Sequence, residues 1–146
     1  MRLKRTQFWG ADENDDRLIR QIIAGKKTAT ACPTEVYHLP DGEFEDGGFE
    51  AGDLVEVYDL KKTLRCIIRI TEVYETEFGS IPDKLWLGEC NSSANEFRSD
   101  HISCWPEYEI TDQFLITVNH FELVEVVKKD NKSLNNRQAQ TDAPAS

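Results

Sequence analysis

The sequence predicts a small α+β domain, a mixed or antiparallel β-barrel with flanking helices. Several segments are rich in β-branched and aromatic residues, and stretches with helical periodicity lie between them. The chain has 146 residues, of which 39% are hydrophobic, which is enough for one sizeable core. Several antiparallel strands around one core fit a small barrel better than a parallel sheet. We therefore expect one domain over residues 1–127.

The first helix is predicted over residues 13–24. Acidic residues occupy its first turn, Gly25 is placed to end it, and its apolar stripe is formed by Leu18, Ile19, Ile22 and Ile23. Residues 40–52 contain paired Asp-Gly and Gly-Gly steps among acidic side chains. This composition predicts a loop that serves as a mobile flap.

The later elements follow from local composition. Strands are predicted over residues 54–58, 64–73 and 114–126, with residues 59–62 as a hairpin connection. Helices are predicted over residues 82–88 and 91–103, the second capped by Asn91 or Ser92. Residues 128–146 contain almost nothing apolar, so we expect a disordered C-terminal tail.

The charge of the chain is unevenly placed. Residues 1–127 hold 13 Lys and Arg against 25 Asp and Glu, and residues 128–146 hold 4 against 2, so their formal charges are −12 and +2. Affinity for a nucleic-acid backbone comes largely from Lys and Arg that neutralise phosphates. The acidic body therefore argues against a general RNA-coating role and favours a small or nearly neutral ligand.

Other patterns limit the possible classes further. Four cysteines lie 34, 24 and 14 positions apart without a CxxC pair, and three scattered histidines form no HxxxH pair. We therefore expect reduced thiols, no metal site and no cofactor. No apolar run is long enough for a signal peptide or a membrane span, so we expect a soluble cytoplasmic protein that does not engage membranes.

Residues 25–30, Gly-Lys-Lys-Thr-Ala-Thr, are the most informative segment of the chain. A helix ends there on glycine, and two lysines meet two threonine hydroxyls before a β-like stretch. The spacing alone has a purely structural explanation, in which the lysines complement the helix dipole and the threonines begin a strand. The pattern gains meaning when it is compared with known families.

The segment resembles the GxKxxT signature of the ASCH domain family, a group structurally similar to PUA domains. Further similarity extends over nearly all of residues 6–127, in Phe8-Trp9-Gly10, residues 18–24, Gly52-Asp53-Leu54, residues 66–73, Leu87-Gly88-Glu89, Phe97 with His101, and residues 120–124. The resemblance implies a PUA-like α+β barrel with a pocket for a nucleoside or a nucleotide of RNA.

Some members of this family remove the acyl group from N4-acetylcytidine with a lysine, a threonine and a glutamate. The resemblance places these roles on Lys27, Thr30 and Glu89, with Glu72 as the reserve carboxylate. Without the resemblance, a glutamate in so acidic a chain is usually a solvated surface charge. We expect Lys27 and Thr30 to point into one pocket, with Glu89 within hydrogen-bond reach of Lys27.

The trio suits hydrolysis of an amide. If Thr30 is the nucleophile, a desolvated Lys27 with a lowered pKa serves as its base, and Glu89 orients the lysine or carries the proton to the cytosine amino group. On this view Lys27→Ala abolishes hydrolysis and leaves the melting temperature nearly unchanged.

Lys26, Tyr37 and Trp9 are predicted to bind the substrate, the aromatic rings by stacking on the pyrimidine. Packing in the core or at its rim is the alternative for such rings.

Two other functions stay open. One is an RNA-binding module or ribonuclease in which Lys26 and Lys27 grip phosphate, and the other is a regulatory protein that binds a nucleotide without catalysis.

Overall fold

The protein is described by a computed structural model that covers residues 3–37, 43–45 and 47–128. Within these residues the strands are β1 (Leu3–Gln7), β2 (Ala29–Pro33), β3 (Leu54–Tyr58), β4 (Leu64–Glu77) and β5 (Leu115–Val126). The helices are α1 (Arg17–Ile23), α2 (Thr34–Tyr37), α3 (Asp83–Gly88) and α4 (Ala94–Cys104), with a 3₁₀ turn at Phe78–Ser80.

The five strands form one mixed sheet in the order β1-β3-β4-β5-β2. The β1–β3 pair is parallel, and the other three pairs are antiparallel. The predicted α+β class is confirmed, but the predicted barrel is not, because the described sheet is open with β1 and β2 at its edges. Helix α1 packs Ile19 and Ile22 against the sheet, so a helix covers this part of the core. The composition of the strands does not indicate whether a sheet closes into a barrel or is covered by a helix.

The core of the described residues contains two apolar clusters. One packs α1 against β3, β4 and β5. The other packs α3 and α4 against β2 and β5 through Leu85, Phe97, Ala29, Ile116 and Val118. Residues 25–28 therefore link α1, in the first cluster, to β2, in the second, and a buried polar side chain in this segment needs partners from within the protein.

The first helix is shorter than the sequence predicted. It begins at Arg17 because the preceding acidic side chains bond to nearby backbone N–H groups instead of joining the helix. Asp15 accepts from the N–H groups of Ala11 and Arg17, at 2.8 and 3.2 Å, and Asp12 accepts from Asn14 at 2.9 Å. The expectation that the helix starts at residue 13 was wrong for this reason.

The other boundaries differ by a few residues. Helix α4 is capped by Ser93, whose hydroxyl accepts from the Glu96 N–H at 3.1 Å, rather than by Asn91 or Ser92. Strand β4 continues to Glu77 and is paired with β5 up to that residue. The three strands predicted from composition and the two predicted late helices are otherwise present.

The predicted loop over residues 40–52 contains no helix or strand among its described residues. Phe49 in this loop is buried, and Glu45 is bonded to β1 through Arg5 and Thr6. Part of the expected flap, at residues 40–42 and 46, lies outside the described residues, as does the expected tail beyond Lys128. In the described ranges, no helix is both long and apolar enough to span a bilayer.

Candidate active site

Lys27 is placed by the turn that ends α1. Gly25 adopts a left-handed conformation with φ 77°, which glycine reaches without steric penalty, and the chain then folds back on the helix. The N–H groups of Lys26 and Lys27 both donate to the Gln21 carbonyl, at 2.9 and 3.0 Å. The turn sends the Lys27 side chain inward, where the residue is only 3% exposed.

The Lys27 ammonium forms a buried ion pair with Glu89. Its Nζ lies 2.5 Å from Glu89 Oε1, and the two side chains are 2% and 10% exposed. Nζ also donates to the Ala29 carbonyl at 2.7 Å and lies 5.7 Å from the centre of the Phe8 ring. The lysine thus donates to a carboxylate and a carbonyl inside the protein.

Glu89 is brought to Lys27 by the end of α3. The helix stops there because Cys90 adopts a left-handed conformation with φ 65°. Just before it, the Gly88 carbonyl accepts from the Thr28 N–H at 2.8 Å. The start of β2 and the end of α3 are therefore joined by backbone contact beside the ion pair.

Gly88 permits this contact, and its substitution gives a first prediction. A β-carbon at position 88 would lie 2.7 Å from Ala29 Cβ and 3.0 Å from Thr28 Oγ1. We expect Gly88→Ala to lower the free energy of unfolding by about 1–3 kcal/mol, because α3 must move away from β2. Urea denaturation measures this change, and an unaltered unfolding midpoint would show that the two elements are not tightly packed.

The electrostatics of the pair keep Glu89 ionised. Burial alone would raise the pKa of its carboxyl, but the Lys27 charge and the contact with His101 outweigh burial and hold the pKa well below its usual range. Lys27 donates hydrogen bonds to this carboxylate and to the Ala29 carbonyl. In this geometry Lys27 is a hydrogen-bond donor, which differs from the role of base expected from the sequence.

This ionisation state predicts how stability depends on pH. The Glu89 pKa is lower in the folded chain than its ordinary value of 4.5, so the unfolded chain binds the proton more readily. The stabilisation is complete above pH 4.5 and is lost as the pH falls below that value. Urea midpoints measured from pH 7 to pH 3 should fall more steeply for the wild type than for a Lys27→Met, Glu89→Leu double variant. Parallel curves would contradict this prediction.

The ion pair lies in the wall of a cavity of about 620 Å³, here called the polar cavity. Thr30 lines the same cavity, so the structure brings Lys27, Thr30 and Glu89 together. Other polar lining residues include Gln21, Asn91, Glu96, Asp100 and His101. The volume lies within the range of about 300–1,000 Å³ that is usual for small-molecule sites.

A second cavity of about 460 Å³, here called the apolar cavity, lies beside the first. The residues that line both cavities are Phe8, Trp9, Leu18, Thr30, Ala31 and Trp105. The apolar cavity also reaches Cys32 and core residues such as Val55 and Ile68. Thr30 therefore lies where a polar and an apolar compartment meet.

The remaining predicted residues have different positions. Trp9 lines both cavities and is 43% exposed, as a stacking platform requires. Lys26 is exposed and lines neither cavity. Tyr37 is 2% exposed and lines neither cavity, and its hydroxyl donates to Asn119 Oδ1 at 2.7 Å and lies 3.0 Å from the Phe49 carbonyl oxygen. The structure does not bring Lys26 or Tyr37 to the ion pair.

Glu72, the reserve carboxylate, lies on the surface. Its side chain is 47% exposed and pairs with Lys84 at 2.9 Å, a bond that lowers the pKa of Glu72. Among the two carboxylates considered, Glu89 is therefore the one beside Lys27. The exposed Lys84–Glu72 pair provides a matched control for the buried Lys27–Glu89 pair.

His101 is the site residue that sequence reasoning did not select. Its Nε2 lies 3.3 Å from Glu89 Oε2, the oxygen opposite the one that meets Lys27. Its spacing of four from Phe97 put both on one helix face, but nothing in the sequence pointed to contact with residue 89. Among the described residues, no group of three His, Cys, Asp or Glu side chains has a geometry that could hold a metal ion.

The fold and site define a class: a small α+β domain with a buried lysine–glutamate pair in the wall of one of two adjoining cavities. The sequence profile of the ASCH domain matches residues 4–125, and the chain belongs to the ASCH domain family. No curated protein sequence matches the chain significantly.

Solved structures agree with this family. A protein from Enterococcus faecalis V583 is 18% identical with a TM-score of 0.67, covering 84% of this chain and 77% of its own. An ASCH domain from Lactobacillus crispatus is 19% identical with a TM-score of 0.66, covering 84% and 80%. A point mutant of an ASCH protein from Zymomonas mobilis is 12% identical with a TM-score of 0.54, covering 90% and 77%. At these identities the likeness concerns the fold alone.

Proposed function

We propose that this protein is an ASCH-domain amidohydrolase that removes an acyl group from the N4 amino group of cytidine or a related nucleoside. The observation that carries the proposal is the buried Lys27–Glu89 pair, which lines the same cavity as Thr30. Removing two charges from water is costly. An ion pair inside a ligand-sized cavity is therefore typical of a functional site.

The three side chains suffice for acyl transfer. The Thr30 oxygen attacks the acyl carbon while its proton passes to the Glu89 carboxylate, directly or through a water. As the bond between the acyl carbon and N4 breaks, the Lys27 ammonium protonates N4, and Glu89 then returns its proton to Lys27 across the 2.5 Å contact. Water next hydrolyses the threonine ester by the same route, which releases the carboxylic acid and restores the starting charges.

The two cavities suit the two sides of this substrate. Thr30 lies at their boundary, so an amide attacked by Thr30 extends into both. The polar cavity offers hydroxyl, amide and carboxylate groups for the ribose, and the apolar cavity can enclose the acyl group. Trp9, exposed at the boundary, is placed to stack on the pyrimidine, which contributes about 1–3 kcal/mol per base.

The two alternative functions find less support. Phosphate binding is disfavoured because Glu96 and Asp100 line the polar cavity, and residues 1–127 carry a charge of −12. A regulatory protein without catalysis would not need a lysine, a glutamate and a threonine in one cavity. We therefore favour hydrolysis of a small, nearly neutral molecule.

Purified protein should convert N4-acetylcytidine to cytidine and acetate in equal amounts, as measured by chromatography. Thr30→Val should abolish turnover, because it removes the hydroxyl while keeping the β-branched shape in β2. Thr63→Val, at a distant position between β3 and β4, is the matched control. No cytidine from the wild type under any tested condition would contradict the proposal.

RNA and nucleoside ligands can be separated by salt. If the ligand is a nucleoside, its binding should change little between low and moderate salt, because few phosphates are neutralised. The affinity for RNA bound through several phosphates should fall steeply over the same range of salt concentration. A titration of short single-stranded RNA at two salt concentrations measures this difference. Tight, salt-dependent binding that is lost in a Lys26→Ala, Lys27→Ala double variant shown to be folded would favour the RNA-binding alternative.

A further inference from the structure

The ring of His101 is held in one orientation by contacts that do not involve Glu89. Its Nδ1 lies 2.8 Å from the Phe97 carbonyl oxygen. The ring stacks on Phe97 with centroids 3.9 Å apart, and Trp105 meets it edge-on at 4.9 Å. Phe97 itself is fully buried. The position of His101 Nε2 is therefore set by the packing of α4.

That nitrogen faces the second oxygen of Glu89. Nε2 lies 3.3 Å from Oε2, while Oε1 accepts from Lys27. A carbonyl and a carboxylate can only accept hydrogen bonds, so both ring nitrogens must carry hydrogen for both contacts to be favourable. The ring then bridges the Phe97 carbonyl and the Glu89 carboxylate.

We propose that His101 is a positioning residue of the site: it holds Oε2 of Glu89 and thereby keeps Oε1 on Lys27. A carboxylate held at both oxygens cannot rotate about the bond that carries it. When the contact with His101 is lost, one oxygen is released and the carboxylate can turn away from Lys27. The kinetic consequence of this inference rests on the proposed function, but the contact between His101 and Glu89 does not.

The charged and titratable residues that line the polar cavity together with His101 are Arg17 on α1, Lys27 before β2, Glu89 and Cys90 after α3, and Glu96, Asp100 and Cys104 on α4 itself. Within the described residues, Glu89 is the carboxylate that forms an ion pair with the ring. Its replacement is therefore the change that tests the contact most directly.

The contact can be tested by NMR without any substrate. In 15N-labelled protein the Nε2 resonance of His101 should shift in Glu89→Gln, because the carboxylate that lies 3.3 Å from this nitrogen loses its charge. His120, whose Nε2 lies 2.9 Å from the Tyr74 hydroxyl, is the internal control. A His101 resonance that moves no more than the His120 resonance would overturn the proposal.

Kinetics test the consequence for catalysis. His101→Ala should reduce kcat on N4-acetylcytidine by up to about a hundredfold, the scale expected when a reacting group is displaced by 1 Å, with little change in KM. His101→Gln keeps a donor near the position of Nε2 and should recover most of the rate. His101→Asn places its amide nearer the position of Nδ1 and should not.

The outcomes separate the two proposals. If the wild type does not hydrolyse the nucleoside, the proposed function fails, and the NMR comparison alone decides the role of His101. If the wild type is active and glutamine and asparagine variants are equally impaired while still folded, a positioning role is excluded. Recovery by glutamine together with the shift of the His101 Nε2 resonance supports it.

Discussion

Lys27→Ala is expected to lower kcat/KM for N4-acetylcytidine by about 10²–10⁴-fold, the usual contribution of a positioned acid or base. The ammonium supplies the proton to the leaving amine, and its loss also removes the partner that holds Glu89 Oε1. Steady-state assays by chromatography measure the effect. Because alanine cannot donate a proton, the loss should appear mainly in kcat.

Lys84→Ala is the control for this measurement. Lys84 also pairs with a glutamate, Glu72, at 2.9 Å, but its side chain is 53% exposed and it lies outside both cavities. Its removal should leave the rate close to that of the wild type. Undiminished turnover in Lys27→Ala, in protein shown to be folded, would exclude lysine from the proton transfer.

The same variant should also be strongly destabilised. Lys27→Ala leaves the Glu89 carboxylate buried without its main partner, and breaking a buried pair in this way costs about 3–5 kcal/mol. The Tm should fall by on the order of 10 °C. We therefore expect a lower melting temperature in place of the nearly unchanged one expected from the sequence, because that expectation did not count the Glu89 carboxylate left buried without its partner.

A second variant separates lost charge balance from lost packing. The Lys27→Met, Glu89→Leu double variant removes both charges and keeps similar volume, so it should recover much of the stability lost in Lys27→Ala. Urea denaturation of the wild type, the single variant and the double variant gives the three free energies of unfolding. If the double variant is less stable than Lys27→Ala, the loss of stability in Lys27→Ala does not come from an unpaired buried charge.

Several features of the fold were predictable because they depend on local sequence. The strands after residue 53 follow from β-branched and aromatic composition, and Gly25 ends α1 because a left-handed residue is needed there. The start of α1 was missed because acidic residues favour helix first turns and local backbone hydrogen bonds alike. The pairing of edge strands depends on long-range geometry that composition does not contain.

The site was also predictable only in part, because some of its contacts depend on long-range packing. Lys27, Thr30 and Glu89 came from a family motif, and the structure places them in one cavity. Tyr37 is a large aromatic beside β2, yet its hydroxyl completes a buried network with Asn119, which sequence cannot distinguish from a ligand platform. His101 meets Glu89 only because α3 and α4 pack side by side, and no spacing in the chain encodes that contact.

The most direct test of the central claim compares two carboxylates in one assay. Glu89→Gln and Glu72→Gln make the same chemical change, one in the buried pair that shares the polar cavity with Thr30 and the other in the exposed pair with Lys84. Initial rates of cytidine release from N4-acetylcytidine are measured for both variants and for the wild type. Our account predicts that Glu89→Gln loses about 10²-fold or more in rate, while Glu72→Gln retains the wild-type rate. Equal rates for the two variants would contradict it.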